Sequence, residues 1–262
     1  MSQVTWNERE LRIAIAKVCA ALFQKNLVAA TDGNVSARLS PDRVLVTPSG
    51  RSKGDVGELD ILLCDLDGRK IRGRGEISSE IHVHLAAYRA REDIGAVVHA
   101  HPPTATAFTF AGLEALLSEP IVPEVVAQIG PIPSTPYITP GSRALAEAAG
   151  PLFKTSDIVM LCQHGAVTLG KDPWGAYLRM EKLEQFATIL KSAFELSGGD
   201  VSSIKRLNGA QVDDLLASYG KGKRSAKFAG GGGAGTGGDS ADSDAIVERI
   251  AAEVLQRLGR TG

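Results

Sequence analysis

Between about residue 8 and residue 220, short β-branched or apolar runs closed by Gly, Pro or Asp turns alternate with longer stretches of helical period. Neither strands alone nor helices alone fill any long block of that interval, so the chain is held to an α/β class with interleaved elements. Leu11, Ile13, Ile15, Val18 and Leu22 recur at helical spacing and predict a first amphipathic helix over roughly residues 7 to 26. The following "ATDGNVSARLS" reads as turn-rich, and "RVLVTPSG" as a short strand ending in a Pro-Ser-Gly turn. "DILLCDLDGRKI" predicts two strands about an Asp-Gly hairpin turn. "SSEIHVHLAAYRARED" opens a helix with serines and an acid, "IGAVVHAH" is a strand, and "TATAFTFAGL" a short helix. "DIVMLCQHGAVTLG" is a strand with a hairpin-like continuation, "DPWGAYLRMEKLEQFATILKSAFELSG" a long helix, and a shorter helix covers about residues 209 to 219.

A chain of 262 residues with 44% hydrophobic content can bury a full-sized core. Its 29 Lys and Arg nearly cancel its 30 Asp and Glu, so no global basic field draws in nucleic acid or an anionic membrane. Cys19, Cys64 and Cys162 all lie within apolar runs, which suits buried thiols in a reducing compartment better than a disulfide framework or a thiolate cluster. The amino terminus is polar where a secretory signal needs an apolar core, and no run reaches membrane-spanning length. The expected location is the cytoplasm.

Composition breaks after the last of these helices. Residues 1–220 read as one domain, residues 221–242 as a flexible linker that is basic, then almost pure glycine, then acidic, and residues 243–262 as one amphipathic helix. Ile246, Val247, Ile250, Val254 and Leu258 form its apolar stripe. A helix this short is marginal alone in water, so the stripe either docks on its own protein or enters a foreign groove.

Two of only five histidines, His99 and His101, stand one residue apart at the end of an apolar run. On a strand, residues two apart share a face, so both imidazoles project together. His164 in "VMLCQHGAV" sits at a second strand end. Three imidazoles converging with one position open is the arrangement of a catalytic zinc site, although a His-x-His pair alone is often an ordinary hydrogen-bonded pair. Glu80, at a helix start, is either a fourth partner or an acid aligned with the helix dipole. His82 reads as a surface residue and His84 as a supporting one behind the ligands. "TDGNVS", "TPSG" and "SSE" put Gly, Ser, Thr and Asn in tight turns whose amides and hydroxyls suit an anion.

Taken in order, "TDGNVS" (31–36), "TPSG" (47–50), "SSE" (78–80), "VVHAHPP" (97–103) and "QHG" (163–165) resemble the class II aldolase/adducin family, in particular its zinc-dependent sugar-phosphate aldolases. The resemblance spans about residues 8 to 220. It implies an α/β/α sandwich around a mainly antiparallel central sheet, assembled as a homotetramer with sites between subunits. It implies one Zn2+ per subunit on His99, His101 and His164, with Glu80 both approaching the metal and acting as base. Thr31, Gly33 and Asn34 from the first turn, Ser49 and Gly50 from the second, and Ser78 and Ser79 from the third would hold the substrate phosphate. The implied reaction is retro-aldol cleavage of a ketose 1-phosphate, L-fuculose or L-rhamnulose 1-phosphate, to dihydroxyacetone phosphate and lactaldehyde.

The fuculose-phosphate aldolases carry a tyrosine acid where this chain has "EPIVPEVVAQIGP", which contains none; the nearest candidate is Glu124. A second family tyrosine, from a neighbouring subunit, is matched by Tyr219. The tail resembles the encapsulation peptides that recruit enzymes to bacterial microcompartment shells. Within the family, a methylthioribulose-phosphate dehydratase, a phosphotetronate decarboxylase and a 4-epimerase stay open, although the epimerases have an aspartate in place of Glu80. From a different class, adducin-like members are interaction proteins without the metal site, against which the three histidines and Glu80 argue.

Overall fold

The computed structural model describes residues 6–219, so the linker and terminal helix expected over residues 221–262 lie outside the described residues. The strands are β1 (Asn34–Ser40), β2 (Arg43–Val46), β3 (Leu62–Asp65), β4 (Lys70–Arg72), β5 (Ala96–Ala100), β6 (Ser134–Thr135), β7 (Ile158–Leu161) and β8 (Gly165–Gly170). They form one sheet in the order β4-β3-β2-β1-β5-β8-β7-β6. Every neighbouring pair is antiparallel except β6 with β7. The helices are α1 (Glu8–Gln24), α2 (Ile81–Ala90), α3 (Pro103–Phe110), α4 (Pro123–Gln128), α5 (Arg143–Phe153), α6 (Pro173–Leu196) and α7 (Gly209–Ser218).

Side chains alternate across a strand, and β5 shows what this does to the layers. Val98 joins a core with Ile15, Val18 and Leu22 of α1 and Met180, Leu183 and Phe186 of α6. Val97 joins a separate core with Leu85 and Tyr88 of α2 and Ala149 and Phe153 of α5. Helices therefore cover both faces of a mostly antiparallel sheet, the expected three-layer α/β/α arrangement. Local chemistry starts the covering helices. Asn7 accepts from the Glu10 backbone N–H while the Glu10 carboxylate accepts from that of Asn7, a reciprocal cap for α1. Asp172 accepts from the Gly175 amide and Pro173 occupies the first turn of α6.

Most predicted elements recur within a few residues of their expected ends, including the β3–β4 hairpin about Asp67 and Gly68. Two differences have physical causes. "ATDGNVSARLS" is a turn only as far as Gly33; from Asn34 it is β1, paired on both edges by β2 and β5. Its polar Ser36 is fully buried, yet its hydroxyl bonds His84 Nδ1 at 2.7 Å and Tyr88 Oη at 2.8 Å, so the serine that makes the segment look like a loop is satisfied inside. Between Leu113 and Asp157 the sequence reading assigns no element, whereas α4, β6 and α5 occur there. The first two are very short, and Gly150-Pro151 near the end of α5 obscures its helical signal. Among the described residues, no helix is long and apolar enough to cross a membrane. All three cysteines are free, with Cys19 and Cys64 buried and Cys162 half-buried.

Candidate active site

The sheet order places β5 beside β8, and this brings the three histidines together. His99 pairs across the sheet with Asn34 on one side and Val167 on the other. His101 follows one step past the end of β5, where Pro102 and Pro103 turn the chain into α3. His164 closes a three-residue hairpin loop between β7 and β8, in which Gln163 takes the left-handed conformation at φ 56°. The Gln163 amide donates to Thr109 Oγ1 at 2.9 Å, which helps hold that uncommon conformation for a residue with a side chain. Ring centroids of the three imidazoles stand 4.7 to 5.0 Å apart, and one ligand atom from each lies within 4.8 Å of the others.

Glu80 lies just before α2 and reaches into this group. Its Oε2 is 3.2 Å from His99 Nε2 and its Oε1 is 3.1 Å from His164 Nε2. Asn34 Nδ2 donates to the same Oε2 at 3.0 Å and to Ser78 Oγ at 3.2 Å. The Glu80 side chain makes no cap bond to the helix, so the carboxylate serves the histidines rather than the helix start. His99 Nδ1–H donates to the Ala166 carbonyl at 3.0 Å, which leaves the Nε2 lone pair facing inward in the neutral ring. His101 Nδ1 faces Asp32 Oδ2 at 3.5 Å, while its Nε2 stands 3.2 Å from His99 Nε2. Two nitrogens turned toward each other at that distance repel unless a proton or a cation lies between them. Three inward nitrogens and a carboxylate form a donor set that fits a divalent metal ion, so His99, His101 and His164 can hold one.

The electrostatics follow from this crowding. Burial pushes the Glu80 carboxyl up, but the His99 and His164 imidazoles outweigh it and hold the group well below the usual carboxylate range. Burial opposes the protonated form of His99, yet the Glu80 charge and the Ala166 carbonyl carry its pKa above the ordinary value. His101 is lowered to about 4 by burial and by the positive charge its two neighbours can carry. His84 is fully enclosed behind the site and lowered to about 3, chiefly by burial and then by His99. It contacts Ser36, consistent with a supporting place behind β1, whereas His82 is half-buried and lines different hollows of the surface.

A cavity of about 240 Å³ opens beside the histidines. Thr31, Gly33 and Asn34 line one side, Ser49 and Gly50 a second, and Ser78 and Ser79 a third, with Glu80, His101 and His164 at the end. All seven residues read as anion-binding from the sequence thus face the space that the metal-ligand candidates border. Asp32, Pro48, Pro140 and Gly141 complete the lining. Sequence reasoning did not single these out. Pro140-Gly141 carries an ordinary turn signal, and only the fold brings it from the start of α5 to Ser79. Glu124 and Tyr219 do not line this cavity within the single chain: Glu124 is exposed in the first turn of α4, and Tyr219 ends α7 at 57% exposure.

Two glycines are required by the geometry. Gly33 has φ 72°, and a Cβ there would meet Val28 Cγ1 at 2.6 Å and the His99 carbonyl at 2.9 Å. A Cβ at Gly165 would meet the Ala100 carbonyl at 2.5 Å and His101 Cδ2 at 2.7 Å. Neither backbone nor a ligand ring gives way cheaply. Gly165→Ala is therefore expected to weaken metal binding about 10- to 100-fold, the range seen when the supports of metal ligands are disturbed. Competition with a chromophoric chelator measures this, and wild-type affinity would show that the imidazoles do not depend on the glycine.

The sequence profile described as the class II aldolase and adducin N-terminal domain matches residues 13–190. An L-fuculose phosphate aldolase of Methanococcus maripaludis is 35% identical over 173 residues, 66% of this chain and 92% of that protein. A 3-oxo-tetronate 4-phosphate decarboxylase of Escherichia coli K12 is 30% identical over 192 residues, 72% of this chain and 90% of that protein. Among solved structures, YgbL of Escherichia coli superimposes with a TM-score of 0.72 at 28% identity, over 80% of this chain and 99% of the other. The profile runs from α1 through the three histidines into α6, and the same three-layer fold recurs in a solved relative: the chain belongs to the class II aldolase and adducin family.

Proposed function

We propose that the protein is a zinc-dependent sugar-phosphate lyase that cleaves a ketose 1-phosphate, L-fuculose or L-rhamnulose 1-phosphate, into dihydroxyacetone phosphate and lactaldehyde. One observation carries this reading: Glu80 bridges His99 and His164 at the end of a cavity whose remaining walls are hydroxyl and glycine turns. His99, His101 and His164, with Glu80, would hold the metal. When bound, Zn2+ supplies a Lewis acid that polarises the substrate carbonyl and its neighbouring hydroxyl.

The chain's own groups do the rest. Hydroxyls and backbone of the Thr31–Asn34, Ser49–Gly50 and Ser78–Ser79 turns bind the phosphate and fix the carbonyl end of the substrate toward the histidines. Asn34 Nδ2 holds Glu80 Oε2 in place; the hydroxyl at the cleaved carbon gives up a proton as it becomes the aldehyde, Glu80 takes one up in exchange and passes it to the carbon left by cleavage, and in the reverse direction it removes that proton. Glu124 takes the place of the family's tyrosine acid at the aldehyde oxygen, and Tyr219 joins it from a neighbouring subunit of a homotetramer. This part of the reading rests on the family resemblance, as does docking of residues 243–262 on a microcompartment shell.

A second reading is favoured by the segment 119–131, which holds no tyrosine where the fuculose-phosphate aldolases carry their acid, and by the likeness to a 3-oxo-tetronate 4-phosphate decarboxylase. Decarboxylation of a 3-oxo-tetronate 4-phosphate also yields dihydroxyacetone phosphate, uses the same cradle and Lewis acid, and needs no acid for an aldehyde oxygen. One assay separates the two, following dihydroxyacetone phosphate through a coupled reductase from each substrate, with and without a chelator. Release from L-fuculose 1-phosphate that stops with chelator and returns with Zn2+ is expected, both for the full chain and for one ending at Lys223. Release from the tetronate alone moves the assignment to the decarboxylase. No release from zinc-loaded protein with either substrate overturns both.

A further inference from the structure

The cavity read as a phosphate site has a charge problem. Its lining includes the carboxylates Asp32 and Glu80 but no lysine or arginine; a metal ion held by the histidines would offset Glu80, which leaves Asp32 beside the first turn with no fixed cation on the walls to balance it against a phosphate dianion. A cation does exist one layer behind. Lys53 follows the Ser49–Gly50 turn in a short 3-10 turn and is only 1% exposed, the only Lys, Arg, Asp or Glu among the buried described residues. An ammonium is rarely enclosed so completely, because leaving water is costly for a compact charge.

Its contacts show what holds it there. Lys53 Nζ donates to the Thr31 carbonyl at 2.8 Å and to the Arg51 carbonyl at 2.8 Å. Thr31 belongs to the first anion-binding turn, and Arg51 directly follows the second. A single ammonium thus ties together, from behind, two of the three turns that form the cradle. Among the described residues it has no carboxylate within ion-pair distance; burial pushes its pKa below the ordinary lysine value, and Cys19, Asp32 and Glu80 oppose this only from further away. The charge is buried, nearly unpaired and aimed through one layer of backbone at the cavity. In such a poorly screened position its field on an anion is far stronger than that of a surface lysine.

We propose that Lys53 is a positioning residue of the anion subsite, which fixes the Thr31 and Ser49 turns relative to each other and supplies the buried positive charge that lets this acidic cavity accept a phosphate dianion. The proposal rests on reading the cavity as a phosphate site, but its test does not depend on turnover. The probe is inorganic phosphate titrated calorimetrically into the zinc-loaded full chain. Lys53→Met removes the charge and both hydrogen bonds while keeping the apolar stem. Lys53→Gln keeps two donors without the charge and serves if the methionine variant does not fold.

The expected result is a phosphate Kd raised about tenfold or more in either variant, with metal content near that of the wild type and a melting temperature lower by a few degrees in the methionine variant, whose two backbone carbonyls lose their donor, and by less in the glutamine variant. For whichever phosphorylated substrate is turned over, KM rises by the same factor while kcat stays within about twofold. A phosphate Kd equal to the wild type in a folded variant overturns the proposal, as does a loss confined to kcat. Weakened phosphate binding in a protein that cleaves neither the ketose phosphate nor the tetronate phosphate would leave this inference standing and remove the lyase assignment. Unchanged phosphate binding in an active lyase would do the reverse.

Discussion

Replacing His99 with alanine abolishes stoichiometric metal binding and brings turnover to the background of the assay. His99 is 2% exposed and both of its ring nitrogens are engaged, Nδ1 with the Ala166 carbonyl and Nε2 toward Glu80 and His101. No neighbouring side chain can take its place, because Val97 and Ala100 on the same strand are apolar and His101 is already directed at the same point. The variant also strands groups that are costly to strand. Glu80 loses one of the two imidazoles that offset its burial, and the Ala166 carbonyl loses its partner, so a destabilisation of about 1–3 kcal/mol accompanies the loss of metal. Atomic spectrometry on dialysed protein, with circular dichroism as a check on folding, measures both effects. One metal ion per subunit in the folded variant would refute the ligand assignment.

Glu80→Gln is expected to separate binding from chemistry. The substitution keeps the size of the side chain and the three imidazoles, so metal is still taken up, more weakly by about 10- to 100-fold as a supporting oxygen loses its charge. At saturating Zn2+ the KM for the phosphorylated substrate stays close to the wild type, because the Thr31, Ser49 and Ser79 turns are untouched. The kcat falls by about 10²–10⁴-fold, the usual contribution of a positioned acid or base. Asn34 Nδ2, which now donates to Glu80 Oε2, would still find the glutamine oxygen after an amide flip, so the drop is not attributable to a displaced strand. Steady-state kinetics with added zinc decide the matter. A kcat within threefold of the wild type would confine Glu80 to a role at the metal and hand the proton to another group.

How far the sequence can be read depends on the range of the interaction concerned. Alternating strand and helix periods determined the α/β class, since each period reflects which side chains a local backbone turns the same way. The His99–His101 spacing and the strand-end position of His164 made a shared site legible for the same reason. Glycine turns at 31–36 and 47–50 were readable because a left-handed backbone is a local demand, met at Gly33 and Gly50. The limit appears where partners are far apart in sequence. Asn34 through Ser40 looked like a loop because the Ser36 hydroxyl is satisfied by His84 and Tyr88 of α2, some fifty positions later, and the backbone by its place between β2 and β5. Glu80 carries two equally good local explanations, and only the convergence of β5, β8 and the start of α2 turns its carboxylate from the helix end to the imidazoles.

Lys53 makes the same point most sharply. In the sequence it is one lysine in a polar stretch, expected in water. The tertiary structure encloses it and directs its ammonium to two backbone carbonyls twenty residues apart in the chain. By itself the sequence determined the class of fold, the histidines and the turn chemistry, because these are set by backbone geometry over a few residues. Tertiary structure placed Glu80, which the family resemblance implies, against the histidines, and it alone decided which polar strand is buried and which cation stands behind the cavity, because burial and charge pairing are properties of the assembled chain.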